Sequence, residues 1–279
     1  MLVTRIITAI VMVLPLIILL VFAPQPIPLA TGLVLYTLAS WEWSKLVPGV
    51  TSAGRFMITA AYFVLMLLVV LAIAKANAPG GEAYFGALGF ILLLAMAWWL
   101  IATVFVWKFP FSPPPWLIVV SGALIIVPAF SVLAQVNSVE WWQPAKLLAL
   151  TFLLVWAADI GAYFTGRAFG RRKLAPSVSP GKTWEGLVGG LVLALVVAAI
   201  YGLSFNHQLT QLLPLAAIVV LASVIGDLTV SLFKRNAAIK DMGAVFPGHG
   251  GVMDRFDSFS AAAPVLFGLL AVFSAIPAG

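Results

Sequence analysis

The sequence predicts an all-α membrane protein, a polytopic bundle of about nine transmembrane helices with its N-terminus in the cytoplasm. Three observations predict it. Of the 279 residues, 63% are hydrophobic and only 9% are charged, whereas a soluble domain carries about a quarter charged residues. The mean hydropathy of +1.14 implies more apolar surface than one soluble core can hide, so lipid must solvate most of it. The apolar residues also fall in long continuous runs, not in the short alternating segments of a transmembrane β-barrel.

Runs long enough to span a bilayer, or nearly so, occupy residues 5–23, 27–43, 56–74, 84–106, 116–135, 147–166, 185–204, 211–232 and 259–276. The first has the length of a secretory signal. Pro24-Gln25-Pro26 follows it where a small-residue cleavage site would be needed, so it is read as a retained span. The second is the weakest, because Glu42 and Lys45 crowd its end. Proline-rich breaks at Pro24–Pro28 and Pro110–Pro115 punctuate the spans. No repeat, low-complexity tail or soluble domain interrupts them. The chain reads as a single membrane domain over residues 1–279, with N-terminal spans in 1–146 and the spans and loops richest in polar groups in 147–279.

Nine spans place alternate loops on opposite sides, and the basic residues choose the orientation. With the N-terminus inside, thirteen of the 15 basic residues face the cytoplasm, and only Lys75 and Lys146 lie opposite. The net charge of +6 therefore reflects loops against an anionic membrane surface, and no nucleic-acid partner is expected. Cysteine is absent, which excludes disulfides, thiolate nucleophiles and Cys-ligated metal centres.

Two carboxylates sit inside otherwise apolar spans, Asp159 in the sixth and Asp227 in the eighth. Asp159 precedes Arg167 by eight residues and Asp227 precedes Lys234 by seven, which puts each roughly 10–12 Å below the same face. Anions at matching depth imply a shared polar cavity, because a carboxylate in lipid needs a partner, a metal ion or water. Ser223 and Ser231 flank Asp227 at four residues on either side and share its helical face. Serines in membrane helices also bond backbone carbonyls, so that alternative stays open for both.

The loop after the sixth span runs from Arg167 to Glu185 and gathers Arg171, Arg172, Lys173, Ser179 and Lys182. Gly181-Lys182-Thr183 resembles the end of a phosphate-binding loop. Pro176 stands where that motif needs glycine, however, and no strand is expected before it, so the motif is rejected. The basic and hydroxyl groups remain dense enough to hold phosphate oxygens. They also fit an ordinary positive-inside loop. The loop after the eighth span carries Lys234, Arg235, Lys240, Pro247-Gly248-His249-Gly250-Gly251, Asp254, Arg255 and Asp257. Asp254 and Asp257, three apart, point the same way on a helix. Hard oxygen ligands of this kind suit Mg²⁺, which takes one or two carboxylates and leaves places for substrate phosphates. A single histidine on this side makes zinc a poor fit. Carboxylates that hold a cation, surrounded by lysine and arginine, form the kit for phosphoryl or nucleotidyl transfer at a membrane surface.

The stretch from Ser231-Leu-Phe-Lys-Arg through Lys240-Asp241 and Pro247-Gly-His-Gly-Gly to Asp254-Arg-Phe-Asp257 closely resembles the C-terminal motif of the phosphatidate cytidylyltransferases, or CDP-diacylglycerol synthases. Asp159-Ile-Gly-Ala-Tyr, Ser179-Pro-Gly-Lys-Thr-Trp-Glu185 and Gly226-Asp227-Leu are similar to the same family. The detailed match covers about residues 156–260. The resemblance implies that CTP and phosphatidic acid give CDP-diacylglycerol and pyrophosphate. It also implies Mg²⁺, room for a second cation such as K⁺, and a homodimer in a bacterial inner membrane with its active site facing the cytoplasm. Carried onto matching positions, Asp227, Asp254 and Asp257 would hold the metal, with Asp159 beside them. Lys182, Lys234, Arg235, Lys240 and Arg255 would neutralise substrate charge, while Ser179, Ser223 and His249 would line the pocket. Two alternatives stand beside this reading. A CTP-dependent polyprenol kinase would share the metal and the basic loops, and an ion-coupled transporter would share the intramembrane acids.

Overall fold

The computed structural model describes residues 23–24, 26–76, 82–135, 144–246 and 250–275. Within them the chain forms helices α1 (Pro26–Ser44), α2 (Ser52–Ala76), α3 (Glu82–Lys108), α4 (Pro115–Ala134) and α5 (Pro144–Phe169). Strands β1 (Lys173–Ala175) and β2 (Ser179–Thr183) follow, then α6 (Trp184–Ser204), α7 (Leu209–Asn236), the one-turn α8 (Met253–Phe256) and α9 (Phe259–Ala275). Six helices among the described residues, α2 to α7, contain segments long and apolar enough to cross a membrane. Of the other three expected spans, the first, 5–23, lies outside the described residues except for its last residue. Helix α1 carries the polar Glu42 in its last turn and is not among the six, and α9, with 17 residues, is shorter.

Burial sorts these helices into two kinds. In α4 and α7, 72% and 61% of the apolar segment is enclosed by protein, against 22%, 28% and 33% in α2, α3 and α6. The outer helices turn continuous apolar surface outward: Val188, Val192, Val196 and Ile200, four apart on α6, are all exposed. That stripe suits hydrocarbon as its solvent. Helix α9 packs on α3, α4, α5 and α7 and ties the outer layer to the centre. Phe152 of α5 stacks on Phe259 of α9 at 4.3 Å between ring centroids. Trp43 of α1 meets Phe233 of α7 edge-on at 5.1 Å and donates its indole N–H to the Ile118 carbonyl of α4 at 2.8 Å.

Helices α5 and α6 pack on each other more extensively than any other pair, and small residues are the reason. A Cβ on Gly190 would come within 2.5 Å of the Ala158 carbonyl oxygen, and one on Gly161 within 2.6 Å of the Gly189 oxygen. Backbone-to-backbone approach of this kind is how membrane helices gain dispersion energy without a hydrophobic drive between them.

One departure from the all-α expectation lies between those two helices. The loop folds as an antiparallel hairpin, with Lys173 opposite Thr183 and Ala175 opposite Ser179. A strand therefore does precede Gly181-Lys182-Thr183, contrary to the sequence reading. It pairs antiparallel with β2 instead of feeding a phosphate-binding loop, and the rejection of that motif still rests on Pro176. Thr183 caps α6 by accepting the Gly186 amide at 3.1 Å. The Glu185 carboxylate, in the first turn of α6, accepts the Arg171 and Arg172 amides and closes the base of the hairpin.

Candidate active site

Asp227 lies in the second half of α7, where a bare carboxylate would be costly. The hairpin answers that cost. Lys182, next to the end of β2, places Nζ 2.7 Å from Asp227 Oδ2, each side chain about a quarter exposed (26% and 28%). Ser231, one turn further along α7, donates its hydroxyl to Asp227 Oδ1 at 3.1 Å. Ser223, one turn back, does not join them: it is buried and donates to the Val220 carbonyl at 2.7 Å. Of the two alternatives left open, the backbone-bonding one describes Ser223, while Ser231 bonds the carboxylate.

Asp159 of α5 and Lys182 line a cavity of about 210 Å³ between α5, α6, α7 and the hairpin, together with Tyr163, Leu187, Val220 and Val224. Its wall is polar at Asp159, Lys182 and Thr183 and apolar along α6 and α7. Asp159 lies within electrostatic reach of Asp227, Lys182 and Arg255. Of the two intramembrane acids expected to share a cavity, Asp159 lines it, and Asp227 meets it through Lys182.

Asp257 reaches the same neighbourhood from α8. Gly226, the residue before Asp227, has no side chain, and a Cβ there would fall 2.6 Å from the Asp257 carbonyl oxygen. This close crossing sets Asp257 beside α7. Its Oδ1 accepts the Ser258 amide at 2.7 Å. Burial first, and then the charge of Asp227, push the Asp257 carboxyl well above the ordinary carboxylate range, while Lys234 and Lys182 act in the opposite sense.

Asp254 has a different setting. Its Oδ1 pairs with Lys234 Nζ at 2.8 Å, and its Oδ2 accepts the Met242 and Gly251 amides at 2.8 and 2.9 Å. Both partners of the ion pair are buried. Although Asp254 and Asp257 are three apart, the two carboxylates take different partners. The expected three-aspartate metal site is therefore not assembled: among the described residues, no three His, Asp or Glu side chains are grouped to hold an ion. What remains is Asp227 with Asp257, two hard-oxygen donors with Asp159 nearby. Oxygen donors of this type are the kind a hard divalent ion accepts alongside phosphate and water.

Of the other basic residues, Arg255 lies within electrostatic reach of Asp159. Arg235 is exposed and donates Nε to the Val178 carbonyl at 3.2 Å, tying the end of α7 to the hairpin turn. Lys240 and Arg255 are exposed. Ser179 opens β2 opposite Ala175 and is half-buried. His249 lies outside the described residues.

Sequence reasoning missed Glu42. It is 2% exposed, and its two carboxylate oxygens accept the Val252 and Met253 amides at 3.1 and 2.9 Å. The available signal was an acid in an apolar run one turn from a lysine. In the linear chain it reads only as a polar interruption of the second apolar run.

Fold and site together define an integral membrane protein with a carboxylate–lysine centre set between its helices. The family model described as the cytidylyltransferase family matches residues 3–273. The chain is 42% identical to a phosphatidate cytidylyltransferase of Pseudomonas aeruginosa over 241 residues, 84% of each chain. It is 38% identical to one of Haemophilus influenzae over 259 residues, covering 87% of this chain and 89% of the relative. A Bacillus subtilis relative of the same name is 45% identical over 130 residues, 44% of this chain and 46% of that one. The chain belongs to the cytidylyltransferase family, as its motifs suggested.

Proposed function

We propose that this protein transfers the cytidylyl group of CTP to phosphatidic acid, giving CDP-diacylglycerol and pyrophosphate. The observation that carries the reading is the Lys182–Asp227 pair, flanked by Asp159 and Asp257, at a cavity with one polar and one apolar wall. Such a cavity accepts a molecule with a phosphate head and acyl tails. The family match and the names of the relatives point to the same substrates.

An oxygen of the lipid phosphate attacks the α-phosphorus of CTP in line. The bond from that phosphorus to the bridging oxygen breaks, and pyrophosphate leaves with the electron pair. The attacking phosphate monoester is already anionic, so no protein base is required. Bringing these anions together is the main barrier, and preorganised positive charge is what lowers it. Lys182 exchanges Asp227 for a phosphate oxygen as substrate enters. Arg235, Lys240 and Arg255, open to water, receive the triphosphate, and the apolar wall along α6 and α7 admits the lipid sideways. Activity of this family is divalent-cation dependent in general. Mg²⁺ would be held by Asp227 and Asp257, with Asp159 available to a second cation such as K⁺. Held there, the ion would supply screening of phosphate charge and polarisation of the α-phosphorus. Asp254 serves the site through Lys234 and the amides of the loop.

The wider arrangement we propose follows the distribution of charge. There are nine spans, counting residues 5–23, α1 and α9, with the N-terminus and the active site on the cytoplasmic side of a bacterial inner membrane. Residues 1–146 support the catalytic half at 147–279, and the protein works as a homodimer. This topology predicts that Lys75→Ala and Lys146→Ala leave the rate within about twofold, since surface changes remote from a site cost little. Lys146 precedes Asp159 by thirteen residues on α5, roughly 20 Å along a helix. A large loss of rate in either variant would overturn the assignment of sides.

The deciding experiment incubates purified protein with labelled CTP, phosphatidic acid and Mg²⁺. We expect label in CDP-diacylglycerol, with one pyrophosphate released per lipid converted. Release of CDP with a phosphorylated lipid would instead identify a kinase, and the absence of any lipid product would favour transport.

A further inference from the structure

We infer that Glu42 is a positioning residue for this reaction: from α1 it holds the start of α8 and thereby sets where Asp254 and Asp257 stand. The inference rests on the proposed cytidylyl transfer for its functional meaning, and on geometry for everything else. Glu42 is 2% exposed near the end of an apolar helix, a costly place for a carboxylate unless its oxygens are used. They are used on backbone more than two hundred residues away. Oε1 accepts the Val252 amide at 3.1 Å and Oε2 the Met253 amide at 2.9 Å, the two N–H groups just before Asp254.

The loop is shaped around this carboxylate. A Cβ at either Gly243 or Gly251 would overlap it, so both strands of the loop between α7 and α8 come close to Glu42 only because those residues lack side chains. Lys45, three residues on, donates Nζ to the Met242 carbonyl at 3.1 Å, while the Met242 amide is held by Asp254. The end of α1 is itself fixed, through Trp43, to α4 and α7. A one-turn helix such as α8 has little order of its own. The continuous path from α4 and α7 through α1 and Glu42 to Val252 and Met253 supplies that order. A group that orients a ligand from behind typically changes activity by about 10- to 100-fold when altered.

The test uses the purified full-length protein. In Glu42→Gln the amide keeps one acceptor and turns an NH₂ toward the other backbone N–H. We expect kcat to fall by about 10- to 100-fold, because misplacement of reacting groups acts on the chemical step. The KM for CTP should stay within about threefold. Amide exchange across residues 242–254 should accelerate at least about tenfold, with α4 and α6 unchanged. Gly251→Ala pushes on the same carboxylate from the loop side and should reproduce both effects. In the double variant the two losses should not multiply, since both act through one contact.

Faster exchange with unchanged kcat would reduce Glu42 to packing and overturn the proposal. Unchanged exchange in both single variants, or fully multiplicative losses, would do the same. Should Glu42→Gln fail to fold, Gly251→Ala decides by the same two measurements. A parent protein that makes no CDP-diacylglycerol would refute the proposed reaction, and the exchange results would still judge the contact.

Discussion

Replacing Asp227 with asparagine is expected to lower the rate of CDP-diacylglycerol formation by about 10²- to 10³-fold, the range seen when one preorganised electrostatic group is lost from a site. The substitution keeps volume and shape and removes only the negative charge. Two consequences follow from the geometry. Lys182, 2.7 Å from Asp227 Oδ2, loses the partner that holds it at the cavity. The pair of carboxylates proposed above to hold a divalent ion is reduced to Asp257 alone, with Asp159 behind. Asp257→Asn should therefore give a loss of the same order, and higher Mg²⁺ should recover part of the rate in either variant. Insertion and folding should be unaffected, because the Lys182–Asp227 pair is partly open to water and contributes little to stability. The measurement is the initial rate per folded protein, across a Mg²⁺ titration. A rate within tenfold of the parent would remove Asp227 from the ion-holding role.

Asp254→Asn should fail differently. The carboxylate it replaces pairs with Lys234 and accepts two backbone amides, and both members of the ion pair are buried. Removing one charge leaves Lys234 enclosed without its ion-pair partner, which typically costs about 3–5 kcal/mol. The asparagine amide group must also face at least one N–H donor. Activity is expected to fall together with the unfolding temperature, whereas Asp227→Asn lowers activity alone. Combining Asp254→Asn with Lys234→Met should recover part of the lost stability, because the stranded charge is gone, without restoring turnover. Thermal unfolding in detergent, read beside the lipid assay, separates the cases. An unchanged unfolding temperature in Asp254→Asn would show that the ion pair does not hold the loop.

The contrast between these aspartates shows where reading a linear chain stops. Asp254 and Asp257 are three residues apart, and on a continuous helix they would present as one ligand set. The helix is a single turn, Met253–Phe256, and Asp257 lies just past it, so the two carboxylates take different partners. Ser223 and Ser231 are equally placed about Asp227 in sequence, yet only Ser231 reaches it. The hairpin between α5 and α6 was concealed by its brevity: strands of three and five residues carry too little alternation to register as a pattern. Glu42 was visible as an acid in an apolar run. Its partners are backbone amides, which no side-chain motif records.

The sequence alone determined that this is a helical membrane protein and which family it joins. Those conclusions depend on composition, on long apolar runs and on motifs contiguous in the chain, all of which survive without coordinates. Only the tertiary structure decided that Lys182 pairs with Asp227, that Asp254 is committed to Lys234 and the loop, and that α1 reaches across to Val252 and Met253. Each is a contact between residues far apart in sequence, created by buried polar groups that must find partners wherever the packing of helices brings them.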